Sequence, residues 1–222
     1  MGILKRYDTP PVPTENRVPP EATCPGPHPE PPVDLAQRSL PLLSTDRVWF
    51  RVYRLQHAPL YFSRSGNNRF DPPAGEYSVL YLGQDEHCAF IETFGHPTGV
   101  RFVTVSALRT RGLARIEARR PLRLVDLTGP GLARLGADER LCSGDYGSAQ
   151  RWALALQRHP ERPDGLCYRA RHDPSRLCAA VYNRAAKSLK VVRLGSFTAT
   201  ANEHLLAELL ETYAFGLLDD TV

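Results

Sequence analysis

Short runs in which apolar and polar positions alternate with period two are mixed with longer runs of helical period. Val48–Leu55 is rich in β-branched and aromatic residues and predicts a strand. Its alternation puts Trp49, Arg51 and Tyr53 on one face and Phe50 and Val52 on the other. Ser78–Gly83 predicts a second strand, with Tyr81 facing away from Leu80 and Leu82. Between them, residues 63–76 form a long loop rich in Gly, Asn, Ser and Pro. Asp85 is placed to cap a short helix that runs to Phe94 and ends at Gly95.

Further strands are expected at 100–105, 113–118, 122–126, Gly165–Tyr168, Leu177–Tyr182 and Leu189–Leu194. Gly147–His159 is the clearest helix, because Ala149, Trp152, Ala153 and Leu156 recur at helical spacing. Asn202–Tyr213 predicts a C-terminal amphipathic helix. There is no regular βαβ alternation and no internal repeat, so the pattern predicts an α+β fold around a small, bent, mostly antiparallel sheet.

Residues 1–44 differ from the rest. They hold 11 of the 20 prolines and lack the periodicity that builds a core, which predicts a flexible tail or a wrapping arm. The remainder, 45–222, is long enough for one domain with its own core. The hydrophobic fraction of 42% is that of a globular chain, and no apolar run approaches the roughly 20 residues of a membrane span. Met1–Asp8 has no signal-peptide core, and Gly2 is followed by Arg6 where a myristoylation signal needs Ser or Thr. A cytoplasmic location is the expectation.

Five cysteines at 24, 88, 142, 167 and 178 form no zinc spacing, which favours reduced core thiols over metal ligands or disulfides. The net charge of +4 is too small and dispersed for direct nucleic-acid binding. Nearly all the basic residues are arginine, a residue suited to bidentate phosphate binding. No Gly-x-Gly-x-x-Gly and no Walker loop is present.

A few polar residues stand among apolar neighbours. Glu92 shares its helix face with Cys88 and Ala89. It is either half of a buried Arg–Glu pair or a carboxylate kept in a cleft to meet developing positive charge. Arg51, between two aromatics on its strand, is either an exposed edge residue or a preorganised anion binder. Arg69 lies in the loop that ends in Phe70-Asp-Pro-Pro and is either solvated or functional. Tyr81 is a core tyrosine or the wall of a ligand site. Arg169 and Arg171 end a strand before Asp173-Pro174, forming a basic turn or a pyrophosphate clamp.

Eight strings in order carry a resemblance. They are Arg38-Ser-Leu-Pro-Leu, Trp49-Phe-Arg-Val, Asn68-Arg-Phe-Asp-Pro-Pro, Val79-Leu-Tyr-Leu, Ala89-Phe-Ile-Glu-Thr-Phe, Arg120-Pro-Leu-Arg-Leu-Val-Asp-Leu, Gly129-Pro-Gly-Leu-Ala-Arg-Leu-Gly and Arg162-Pro-Asp-Gly-Leu-Cys-Tyr-Arg-x-Arg-His-Asp. From about Leu35 onward the chain resembles the RES domain family, named for an arginine, a glutamate and a serine. The resemblance implies a split, bent β core like that of ADP-ribosyltransferase toxins.

It also implies cleavage of NAD⁺ at the nicotinamide bond by phosphorolysis or hydrolysis. NAD⁺ would be the substrate, inorganic phosphate a co-substrate, and no cofactor would be needed. By the same resemblance Arg51 and Arg69 would bind phosphate groups and Glu92 would stabilise the ribosyl cation. Tyr81, Tyr53, Phe70 and Arg171 would contact the substrate. A protein antitoxin with an Xre-like DNA-binding domain is the implied partner; the oligomeric state is left open. One departure stands out: the family serine is Ala170, in Tyr168-Arg-Ala-Arg-His-Asp. Alanine has no hydroxyl to hold a phosphate or orient a substrate. That leaves three readings: a working NAD⁺-consuming enzyme, a RES-like protein that binds with little catalysis, and a transferase that moves ADP-ribose to a macromolecule.

Overall fold

In the computed structural model, Gly26 and residues 28–220 are described. Eight strands form one sheet: β1 (Leu42–Thr45), β2 (Trp49–Arg54), β3 (Val79–Gly83), β5 (Arg111–Ala118), β6 (Leu122–Asp126), β7 (Gly165–Arg169), β8 (Leu177–Tyr182) and β9 (Leu189–Ser196). Their order is β1-β6-β7-β8-β3-β2-β5-β9, and every pairing but β6–β7 is antiparallel. The other two strands, β4 (Phe102–Thr104) and β10 (Gly216–Leu218), pair in parallel with each other. Among the described residues there are also six α-helices: α1 (Glu86–Phe94), α2 (Val105–Arg109), α3 (Pro130–Leu135), α4 (Arg140–Ser143), α5 (Tyr146–Arg158) and α6 (Glu203–Thr212). The expected α+β architecture with a bent, split, mostly antiparallel core is the one observed. The sheet is larger than expected because short β1 joins its edge and β9 extends to Ser196.

Period-two alternation sorts the side chains onto two faces. Along β8, Cys178, Ala180 and Tyr182 enter one core with Trp152 and Leu156 of α5. Ala179 and Val181 enter a second core with Trp49, Ile116 and Leu122. A third cluster joins α1 to α6 through Phe90, Phe197, Leu209 and Phe215. Burying each Leu, Ile, Val or Phe side chain in these clusters contributes about 1.5–3 kcal/mol, so the three clusters supply the main driving force.

Both long internal helices start where local chemistry directs. The Asp85 carboxylate accepts from Cys88 N at 2.8 Å, and the Asp145 carboxylate accepts from Ser148 N at 2.7 Å. The second cap starts α5 one residue before the predicted Gly147, which brings Tyr146 into the helix. The strand expected at 100–105 is shorter, because Thr104 caps α2 by accepting from Ala107 N at 3.2 Å.

Residues 28–44, the described part of the segment read as a flexible tail or a wrapping arm, contribute buried side chains to the domain. Leu35 and Leu40 are buried in the α5 core, and Trp152 Nε1–H donates to Pro29 O at 2.8 Å. The packed domain therefore reaches back before residue 45, because Leu35, Leu40 and Leu42 supply apolar contacts that proline counting overlooks. Residues 1–25 and Pro27, with most of those prolines, lie outside the described residues.

The feature that positions the site is a split in the middle of the sheet. β2 pairs with β5 over six residues, but with β3 only at Phe50↔Gly83. Further along β3, Val79 pairs instead with Ser63, from the chain leaving β2. The two central strands therefore diverge. A side-chain Cβ at Gly83 would meet Ala89 N at 2.7 Å and Cys88 Cβ at 2.8 Å, so glycine there lets α1 lie directly against the split.

Candidate active site

The split opens into a cavity of about 210 Å³. β2 contributes Phe50, Arg51 and Val52, β3 contributes Tyr81, Leu82 and Gly83, and α1 contributes Ala89, Glu92 and Thr93. Asn68 and Arg69 enter from the long loop, Cys142 and Tyr146 from the α4–α5 region, and Tyr168, Arg171 and Cys178 from β7, the turn after it, and β8. His96 closes the rim.

Arg51 is half-buried. Its Nη1 donates to Pro59 O at 2.6 Å and Tyr61 O at 3.0 Å, which ties down the segment after β2. Burial pushes its guanidinium down to about 10, leaving it charged at neutral pH. Arg69 is only 8% exposed, donates to Gly144 O at 2.8 Å, and lies 4.6 Å from the centre of the Tyr146 ring. Arg171 reaches the same cavity from an exposed position. Among the described residues none of these three arginines is paired with a carboxylate.

Among the described residues Glu92 is the one carboxylate on the cavity wall. Its Oε1 accepts from the His172 backbone N–H at 2.9 Å, and among the described residues it forms no ion pair. The buried Arg–Glu pair left open by the sequence is therefore not what the structure contains. Burial lowers the pKa of His172, so its imidazole stays neutral at physiological pH; it lies edge-on to His96, with ring centres 5.3 Å apart.

Tyr81 has a bonded hydroxyl and also lies on the cavity wall. Its ring lines the cavity, while its hydroxyl accepts from Phe70 N and donates to Asp71 Oδ1, both at 3.0 Å. Burial, with the Asp71 charge beside it, raises its pKa well above the usual range and keeps the hydroxyl protonated.

Three residues named with the site from the sequence do not line it. Tyr53 packs in the second core, its ring against Gly112, where an added Cβ would come within 2.7 Å. Phe70 is fully buried and meets Tyr168 edge-on, ring centres 4.8 Å apart. Ala170 is 2% exposed, with its methyl in the α5 core and its N–H on Arg176 O at 3.0 Å. Arg169, on the opposite side of that strand, is exposed and donates to Pro174 O at 3.1 Å. Ser175 cannot stand in for the missing serine: it is exposed, and its hydroxyl is taken by Asp173 Oδ1 at 2.5 Å. Sequence reasoning missed Tyr146, Tyr168 and Asn68. Tyr168 and Asn68 lie inside strings already noted for their neighbours, whereas only the cap at Asp145 could have flagged Tyr146.

The cavity's thiols are poor nucleophiles. Burial pushes the Cys142 thiol up to about 12. The hydrogen bond shared with Cys88, Sγ to Sγ 3.5 Å, and then burial raise Cys178 well above the usual thiol range. All four described cysteines are free and buried. In the folded protein these four thiols are expected to resist an aromatic disulfide reagent and to react on unfolding. Rapid labelling of Cys142 or Cys178 in the native protein would contradict this. Among the described residues no group of His, Cys, Asp or Glu is placed to hold a metal ion, and no helix is long and apolar enough to cross a membrane.

The split sheet thus opens into a cavity that, among the described residues, brings together three arginines without a carboxylate partner and one carboxylate without a cation. The chain belongs to the RES domain family, which matches residues 47–201. A "probable toxin y4kH" of Sinorhizobium fredii (strain NBRC 101917 / NGR234) is 27% identical over 119 residues, 52% of this chain and 90% of that protein. Among solved structures, the M. tuberculosis MbcT–MbcA toxin–antitoxin complex contains a chain of similar fold. The TM-score is 0.55 at 16% identity, covering 81% of this chain and 98% of that one.

Proposed function

We propose that this protein is the toxin of a toxin–antitoxin pair and that it consumes NAD⁺ by breaking the nicotinamide N-glycosidic bond. The observation that carries the reading is Glu92: a carboxylate that forms no ion pair among the described residues, on the wall of a cavity whose lining also includes three arginines. When the C1′–N1 bond of NAD⁺ breaks, its electron pair goes to the nicotinamide nitrogen, which becomes neutral, and positive charge develops on the ribose. A carboxylate beside that ribose favours the transition state over the ground state. An oxygen of phosphate or water then bonds to C1′ and gives up its proton.

Arg51, Arg69 and Arg171 supply charge and donors for the pyrophosphate or for an acceptor phosphate. Tyr81 offers its ring as a wall for nicotinamide or its ribose. NAD⁺ is the substrate in this scheme, so no nucleotide-cofactor motif is required. The two relatives' descriptions, a probable toxin and a toxin–antitoxin complex, support a protein antitoxin as partner. An Xre-like antitoxin with a DNA-binding domain is the specific partner proposed.

Ala170 favours a second reading, in which the chain binds NAD⁺ but turns it over slowly. Its methyl sits in the core, not on the cavity wall. Incubation with NAD⁺, with and without phosphate, beside an Ala170→Ser form tests both. NAD⁺ loss in the native chain is the expected result, faster with phosphate if phosphorolysis is the reaction. Loss only after restoring serine would favour the binding protein. Absence of loss in both forms would remove the enzyme. Labelled NAD⁺ that marks a protein or nucleic acid would instead identify a transferase.

A further inference from the structure

The loop that carries Arg69 is organised around one buried side chain to which nothing above assigns a role. We infer that Asp71 is a positioning residue: its carboxylate locks the turn that aims Arg69 into the cavity and fastens that turn to Tyr81. Asp71 is fully buried. Its Oδ2 accepts from Ser65 Oγ at 2.9 Å, Asn68 Nδ2 at 2.9 Å and Asn68 N at 3.2 Å, and its Oδ1 accepts from Tyr81 OH at 3.0 Å. Among the described residues no cation pairs with it.

The geometry of the turn explains the arrangement. Asp71 N–H donates to Asn68 O at 3.1 Å, closing a four-residue turn with Arg69 and Phe70 at its centre. The carboxylate answers in the other direction, accepting the Asn68 N–H. Phe70 N–H donates to the Tyr81 hydroxyl, and Gln150 Nε2 donates to Gly66 O at 2.8 Å and Asn68 O at 3.0 Å. Both residues flanking Arg69, and the pair that closes the turn, are thus fixed by hydrogen bonds. An exposed loop arginine would lose much side-chain freedom on binding an anion; here the backbone part of that ordering is already done.

Only a carboxylate suits the position. All four partners donate, and an ionised carboxylate accepts with both oxygens. An asparagine can keep the Tyr81 bond but turns its NH₂ toward the Asn68 donors. A buried charge without a cation is otherwise disfavoured, so the complete set of donors is what permits it.

The proposal rests on NAD⁺ as the ligand, and the test separates the two. The native chain, Asp71→Asn, Arg69→Ala and the double variant are each titrated with NAD⁺ by calorimetry. Backbone amide exchange is followed over 65–71. Asp71→Asn is expected to weaken NAD⁺ binding about tenfold, but by less than about twofold when Arg69 is already alanine, since coupled residues are non-additive. Exchange at Asn68, Phe70 and Asp71 is expected to speed up in Asp71→Asn and not in Arg69→Ala.

Equal loss of affinity in both backgrounds, or unchanged exchange, overturns the positioning role and leaves Asp71 as general structure. A native chain that does not bind NAD⁺ removes the substrate reading, while the exchange data still decide whether Asp71 holds the turn. Should Asp71→Asn fail to fold, Ser65→Ala removes one donor from an exposed position. It is then expected to give a smaller loss with the same dependence on Arg69, and an effect independent of Arg69 would overturn the proposal.

Discussion

Replacing Glu92 by glutamine is expected to lower NAD⁺ consumption at least about 100-fold, the scale on which removal of one preorganised electrostatic group acts. Glutamine has nearly the same shape, and its Oε1 still accepts the His172 N–H that holds Glu92 at 2.9 Å. What is lost is the charge. Because Glu92 pairs with no cation among the described residues, neutralising it strands no buried partner, and the melting temperature should change little. NAD⁺ binding should also persist, since the arginines remain, so the loss appears in kcat more than in KM. A Glu92→Gln variant that melts much lower yet keeps its activity would make Glu92 structural. A variant that loses activity only through KM would place the carboxylate in binding, away from the ribosyl cation.

The second large effect is expected from Arg51→Lys. It should weaken NAD⁺ binding by roughly 10- to 100-fold, the equivalent of one lost charge-assisted hydrogen bond at about 1.5–3 kcal/mol. The two residues carry the same charge, so the difference lies in geometry. One guanidinium nitrogen of Arg51 already holds two carbonyls, Pro59 O and Tyr61 O. The rest of the planar group is left for an anion. A lysine ammonium is a single point and cannot hold the loop and an anion in the same arrangement. Calorimetric titration with NAD⁺ checks this. If Arg51→Lys binds as tightly as the native chain, Arg51 serves only to tether the loop.

These expectations depend differently on sequence and structure. Glu92 was legible from the chain because helical spacing and the Asp85 cap set its face by local rules. Arg51 was legible as an isolated charge in an apolar strand, but strand alternation placed it with Trp49 and Tyr53. Those two neighbours are in the second core, while Arg51 reaches the cavity. Alternation assumes a continuous sheet, and the sheet is split beside β2. Tyr53 and Phe70 were assigned to the site through the family resemblance. The structure buries both in cores, where their rings pack against apolar and aromatic neighbours.

The sequence by itself determined the longer elements, though not β1, β10 or the short helices α2, α3 and α4, and the chemistry available to them. Capped α1 and α5, the alternating faces of β3 and β8, the family membership and the mixture of arginines with one key carboxylate all follow from short-range patterns. They do so because caps and periodicity act within a few residues. Only the tertiary structure decided where a ligand site exists. The divergence of β2 from β3, the 75-residue span closed by Arg69 on Gly144, the entry of Tyr146 and the burial of Ala170 away from the cavity are non-local. They arise from how strands and helices satisfy their backbone groups and apolar faces together. That balance is struck over the whole domain and is carried by no single segment.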